Sequence, residues 1–193
     1  MNTTAWVILG YHIASRLAYV LYVGRALSAQ ERHGYFTERW GVEGGFRRFR
    51  RVAALVMNND AVSFVVLCFA SAHTLSLDLP GSWLLGTGAV LIVVGGATKL
   101  WAAATLGGRA YYWYNFFAVP ASPPPPAGGP YRVLRNPMYT VGYLPTYGLA
   151  LAVASLPGLI AAAFDHAAIL AFYYTVEQPH FAELTRCRTE PYD

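Results

Sequence analysis

From Ala5 to Val176 the sequence is a series of apolar runs close to bilayer-crossing length, separated by tight turns or by two longer polar connections. A helix needs about 20 apolar residues to cross the hydrocarbon. With no water there, the backbone has to satisfy itself, which selects helices over an open sheet. Five spans are predicted: Ala5 to Leu27, Val52 to Leu79, Ser82 to Leu106, Met138 to Ser155 and Leu159 to Val176. Only 12% of residues are charged and 55% are hydrophobic, against about a quarter charged in soluble domains. The expectation is an all-α integral membrane bundle of about five transmembrane helices, a single domain over 1–193, with no room for a large soluble part. The first run is too long for a signal-peptide core and lacks a basic leader, so it is expected to be retained.

The arginines set an orientation. Of the 14 Lys and Arg residues, all but Arg16 and Lys99 fall in the 28–51 connection, the 107–137 connection, the C-terminal tail, or at Arg25. That asymmetry predicts a cytoplasmic location for those segments, with the N-terminus outside and the C-terminus inside. The membrane expected is the bacterial inner membrane. The basic residues flank spans and form no solvated block, so nucleic acid is not an expected partner. Phe36, Trp40, Phe46 and Phe49 among the arginines of 28–51 suit an interfacial segment. Cys68 and Cys187 form neither a disulfide framework nor a metal set, and no metal is expected. Oligomeric state is not legible.

Several polar residues lie inside the spans. His12 and Arg16 share one helical face. Asp60 and Lys99 are expected at similar depth, either as a structural ion pair or facing a substrate. Asp165 and His166 read as structural. Gly86-Thr87-Gly88 is a lone GxG on the outer face and carries no weight as a site. Pro80-Gly81 and Pro157-Gly158 are expected turns, Pro145 a kink, and Pro123 to Pro126 a stiff polyproline spacer.

The topology returns Arg132, Arg135 and Asn136, before the fourth span, to the same side as Glu177, Gln178 and His180, after the fifth. Ionisable groups at such boundaries are costly to desolvate and mark a site. Arginines clamp carboxylates or phosphates, a glutamate holds an ammonium, and aromatic faces such as those of 111–117 attract sulfonium or quaternary ammonium groups. A zwitterionic or cationic cofactor fits that set. No zinc spacing, GxSxG elbow, dinucleotide GxGxxG or Walker motif is present.

The pattern Val133-Leu134-x-Asn136-Pro137-Met138-Tyr139-x-x-Gly142, then Ala154-Ser155-x-x-Gly158-Leu159, then Glu177-x-Pro179-x-x-Ala182-Glu183-x-x-Arg186 resembles the phosphatidylethanolamine N-methyltransferases. Gly129-Pro130-Tyr131 and Arg135 match the broader form shared with isoprenylcysteine carboxyl methyltransferases. Thr105-Leu106-Gly107 is a weaker echo of the family's glycine segment. The second member of its Glu-Glu pair is Gln178 here. The resemblance implies a methyltransferase using S-adenosylmethionine, with a cofactor-binding part over about 105–188 and a membrane lipid as substrate. It implies in-line transfer to the amine of phosphatidylethanolamine or its partly methylated forms at the inner membrane face.

Cofactor contacts are then expected from Gly107, Gly108, Tyr131, Arg132, Arg135, Asn136, Pro137, Tyr139, Gly142, Glu177 and Gln178. Glu177, His180 and Glu183 are the catalytic candidates, the last two as bases or water-positioning groups. Rival readings are methylation of a prenylcysteine carboxylate or a small thiol, an NADPH-dependent membrane reductase, and a non-catalytic relic.

Overall fold

The computed structural model describes residues 3–118 and 128–189. The prolines at 123–126 lie outside them. The described residues form six α-helices, with three short 3₁₀ segments between the third and fourth and no strand among them. Four segments are long and apolar enough to cross a membrane: Thr3–His33, Thr37–Ala70, Gly81–Phe116 and Leu156–Leu184. The all-α membrane bundle stands.

Helix α1 (Thr3–His33) and helix α2 (Thr37–Ala70) form a hairpin whose turn passes through Gly34 at φ +56°. The Gln30 side chain accepts from the backbone N–H of Phe36 and of Thr37, which secures that turn. Most of the basic connection expected at 28–51 is therefore helical, with one break at Gly41. Phe46 and Phe49 are buried while Arg47, Arg48, Arg50 and Arg51 are exposed. Spacing of three and four residues on one face is what makes that segment helical.

Helix α3 (Gly81–Ala110) packs most extensively on helix α4 (Leu144–Ala152). Gly88 and Gly148 meet at the crossing. A Cβ on Gly88 would lie 2.5 Å from the Gly148 carbonyl, and one on Gly148 would lie 2.6 Å from the Gly88 carbonyl. Close backbone approach through small residues is how membrane helices gain packing without a hydrophobic driving force. The glycine discounted as part of a GxG motif is thus a helix-crossing residue.

The fourth expected span is not one continuous helix. It comprises a 3₁₀ turn at Val141–Tyr143 and the nine residues of α4, about 14 Å long at 1.5 Å per residue. Pro145 lies in the first turn of α4, where a missing N–H costs nothing, rather than at a kink.

Ser155 caps helix α5 (Leu156–Phe172) by accepting from the Gly158 N–H at 2.9 Å, so Pro157-Gly158 belongs to its first turn. The reversal itself is made by residues 153–155, with Ala154 at φ +51°. Here His73 and Leu75 donate backbone N–H groups to Val153 and Ala154, and the Ser71 and Ser155 hydroxyls lie 2.7 Å apart. The end of α2 and the α4–α5 reversal therefore share one end of the bundle. From α5 the chain passes through a π-helical turn, Tyr173–Glu177, into helix α6 (Gln178–Thr189) at the opposite end.

Candidate active site

Three segments converge on Glu177. Gly107, at φ +76°, breaks α3 and redirects the chain into the aromatic segment 111–117. Trp113 takes the left-handed conformation, φ +57°, an unfavourable one for a bulky residue and worth a functional explanation. That conformation aims its indole N–H at Glu177 Oε1, to which it donates. Tyr139 donates its hydroxyl to the same oxygen at 2.6 Å. Glu177 is buried, and it sits on the wide π turn that ends the last span. Such turns are rare and concentrate at functional sites.

The Tyr139 loop is built by its neighbours. Asn136 Oδ1 accepts from the Tyr139 N–H at 3.3 Å, and its carbonyl accepts from the Thr140 hydroxyl at 2.6 Å. Pro137 is fully buried and its carbonyl accepts from the Gly142 N–H at 2.7 Å. A Cβ on Gly142 would stand 2.9 Å from that same carbonyl, so glycine is required there. His166 fixes the loop from α5, with Nε2 2.8 Å from the Tyr139 carbonyl and its ring stacked on Tyr143.

A cavity of about 190 Å³ opens beside Glu177, lined among others by Asn115, Tyr131, Arg135, Asn136, Tyr139 and Phe181. Burial, and then the Glu177 carboxylate, push the Tyr131 phenol above its ordinary range, so it stays a hydrogen-bond donor. Asn136 Nδ2 is buried with no partner. A buried donor left unpaired costs free energy, and a ligand oxygen would relieve it.

Of the residues expected from the sequence, Tyr131, Arg135, Asn136, Tyr139 and Glu177 line this one cavity. Pro137 and Gly142 shape the loop, and Gly107 turns the helix. Gly108, Arg132, Gln178 and Glu183 are not among the lining residues; Gly108, Arg132 and Glu183 are exposed and Gln178 is half-buried. His180 is buried next to the site, stacked on Phe116 at 3.7 Å, with Nδ1 2.7 Å from Glu31 Oε1 and Nε2 without a partner. Asn115 and Phe181 were not expected, and no sequence pattern marks them. Asp60 pairs with Arg16 at 2.6 Å rather than with Lys99.

The family profile described as phospholipid methyltransferase matches residues 83–185, more than half of the chain. The chain belongs to the phospholipid methyltransferase family.

Among curated relatives named phosphatidylethanolamine N-methyltransferase, that of Clavispora lusitaniae is 32% identical over 144 residues, covering 70% of this chain and 17% of that protein. That of Arthroderma otae is 34% identical over 139 residues, covering 68% of this chain and 14% of that protein. The chain thus spans less than a fifth of the length of these relatives. Both are fungal and lend no support to the expected bacterial inner membrane. No solved structure matches. The region matched by the phospholipid methyltransferase profile begins in α3, so α1 and α2, with Arg16 and Asp60, lie outside it.

Proposed function

We propose that this chain N-methylates the amine headgroup of phosphatidylethanolamine, or of its partly methylated forms, using S-adenosylmethionine. The observation that carries the reading is the buried Glu177 carboxylate held by Trp113 and Tyr139 at the edge of a cavity that also presents Arg135 and the unpaired Asn136 amide. The residues fit the cofactor. Glu177 suits its ammonium or ribose hydroxyls, Arg135 its carboxylate, the Asn136 amide an acceptor atom, and the rings of Tyr131, Tyr139 and Trp113 its adenine and sulfonium. Bound there, it supplies an electrophilic methyl group.

The protein's part is alignment, which is worth up to about 7–11 kcal/mol when two reactants are held in line. A headgroup ammonium has to lose a proton before its nitrogen can attack. Interfacial water takes it; the other candidates are His180, whose Nε2 Glu31 leaves free, and Glu183 at the exposed surface of the same helix, neither of which lines the cavity. The site faces the cytoplasm, with the N-terminus outside, on the arginine asymmetry.

The test offers labelled S-adenosylmethionine and phosphatidylethanolamine to the purified protein in mixed micelles. Label enters the phospholipid fraction, and Glu177→Ala abolishes both transfer and cofactor binding. Transfer only to a prenylcysteine analogue, or cofactor binding unchanged in the variant, would overturn the reading.

A further inference from the structure

A second and larger cavity, about 390 Å³, adjoins the first along Tyr111, Trp113, Met138 and Tyr139, which line both spaces. Its deep end is polar. Arg16 pairs with Asp60 at 2.6 Å and with Asp165 at 2.9 Å, and His12 bridges Asp165 and Ser63 at 3.1 and 2.8 Å. Arg16 and His12 both bond Asp165 and clamp α1 to α5. They also account for the grouping of His12, Asp60 and Asp165, which resembles a cation site but already surrounds the Arg16 guanidinium.

Two charged groups on the chamber wall keep bonding capacity that this clamp does not use. Asp60 is 3% exposed, yet its Oδ1 has no hydrogen-bond partner. Lys99 makes no ion pair among the described residues and lies 5.8 Å from the Tyr143 ring centroid. A buried carboxylate oxygen without a hydrogen-bond partner and a half-buried ammonium without a counter-charge are both costly, so they mark a place where a ligand completes the pairing. With His12 counted as neutral, Asp60 and Asp165 balance Arg16 and Lys99. The chamber therefore suits an occupant that carries one charge of each sign.

The chamber also has a side entrance. Asn58, Ala61 and Val65, on one face of α2, line it and are exposed. Lys99 on α3 and Thr146 on α4 form the facing wall. α2 leans on α1 and α3 on α4, with no comparable packing between α2 and α3. Val62, next to Ala61, and Leu100, next to Lys99, are exposed apolar residues, as an opening toward the bilayer requires.

We propose that this chamber is the acceptor site, entered sideways from the bilayer between α2 and α3, with Lys99 binding the headgroup phosphate and Asp60 Oδ1 the headgroup ammonium of an aminophospholipid. The identity of the occupant rests on the methyltransferase reading; the chamber does not. The amine, once it has lost its proton, passes from Asp60 to the cofactor's methyl group along Tyr111, Trp113 and Tyr139, where the two spaces adjoin. The un-, mono- and dimethylated ammonium forms each keep an N–H for Asp60, whereas the trimethylated product has none and loses that bond. Asp60 thereby distinguishes acceptor from product, while Lys99 holds the phosphate that both share.

The test uses the full chain in phosphatidylcholine nanodiscs seeded with phosphatidylethanolamine bearing a photoreactive group near its headgroup. Crosslinks are mapped by peptide sequencing, and KM for the lipid and Kd for S-adenosylmethionine are measured in parallel. Asp60→Asn also leaves Arg16 short of a counter-charge, so Lys99→Met and the mouth-narrowing Ala61→Trp carry the test. Both are expected to reduce crosslinking at 58–65 and raise the lipid KM about tenfold or more, the scale of one lost charge-assisted hydrogen bond, with cofactor Kd unchanged. Crosslinks elsewhere, or both variants retaining wild-type KM and labelling, would overturn the proposal. Labelling at 58–65 without methyl transfer would keep the chamber and sink the methyltransferase reading.

Discussion

Glu177 Oε1 takes two donors, one from the aromatic segment after α3 and one from the loop before α4. The carboxylate is thus positioned by residues 38 and 64 places away in the chain. Tyr139→Phe removes one donor while keeping the ring. Cofactor affinity is expected to fall by about 1 kcal/mol, the usual net value of one hydrogen bond, measurable by calorimetry in detergent. Glu177 and the Asn136–Tyr139 motif were legible in the sequence because the topology returns them to one side. Trp113 was legible only as one of several aromatics. Its role depends on a left-handed backbone that follows the break at Gly107, which spacing does not reveal. The pairing of Asp60 with Arg16 was hidden for a similar reason. Depth follows from counting residues, but which face of α2 turns toward α1 is decided by packing.

Hydropathy read the helices well where they are long and lipid-facing, and badly where polar residues ride on a helix or proline and glycine interrupt one. The arginine-rich stretch before Val52 extends α2, because Phe46 and Phe49 bury against Trp113 and Phe117 while the charged residues project outward. The fourth span shrinks to α4, bounded by the Asn136–Gly142 loop and the Ser155 cap. Its contact with α3 depends on two glycines, so Gly88→Leu would force the helices apart. Overpacking of this kind costs about 1–3 kcal/mol or more, seen as a lower thermal midpoint in detergent with the helical circular dichroism signal retained below it.

Across the whole molecule, the Arg16 clamp joins α1, α2 and α5 through side chains that are all nearly inaccessible. Removing one partner of a buried ion pair is far costlier than removing both. Asp165→Ala is expected to destabilise the bundle by about 3–5 kcal/mol, and replacing the remaining pair as well, Arg16→Met with Asp60→Leu, to recover part of that loss; denaturation of the two variants measures the difference. At the far end of the same molecule, the π turn at Tyr173–Glu177 holds one residue more than an α-helical turn would. Deleting Thr175 would restore a regular helix and swing everything beyond it by about 100°. Cofactor binding is then expected to vanish in a ligand-shift assay while membrane insertion persists. That extra residue is a phase shift. Upstream of it, side chains keep time with the bundle, and downstream they keep time with the cavity, so an insertion or deletion is tolerated by neither half unless it leaves this offset intact.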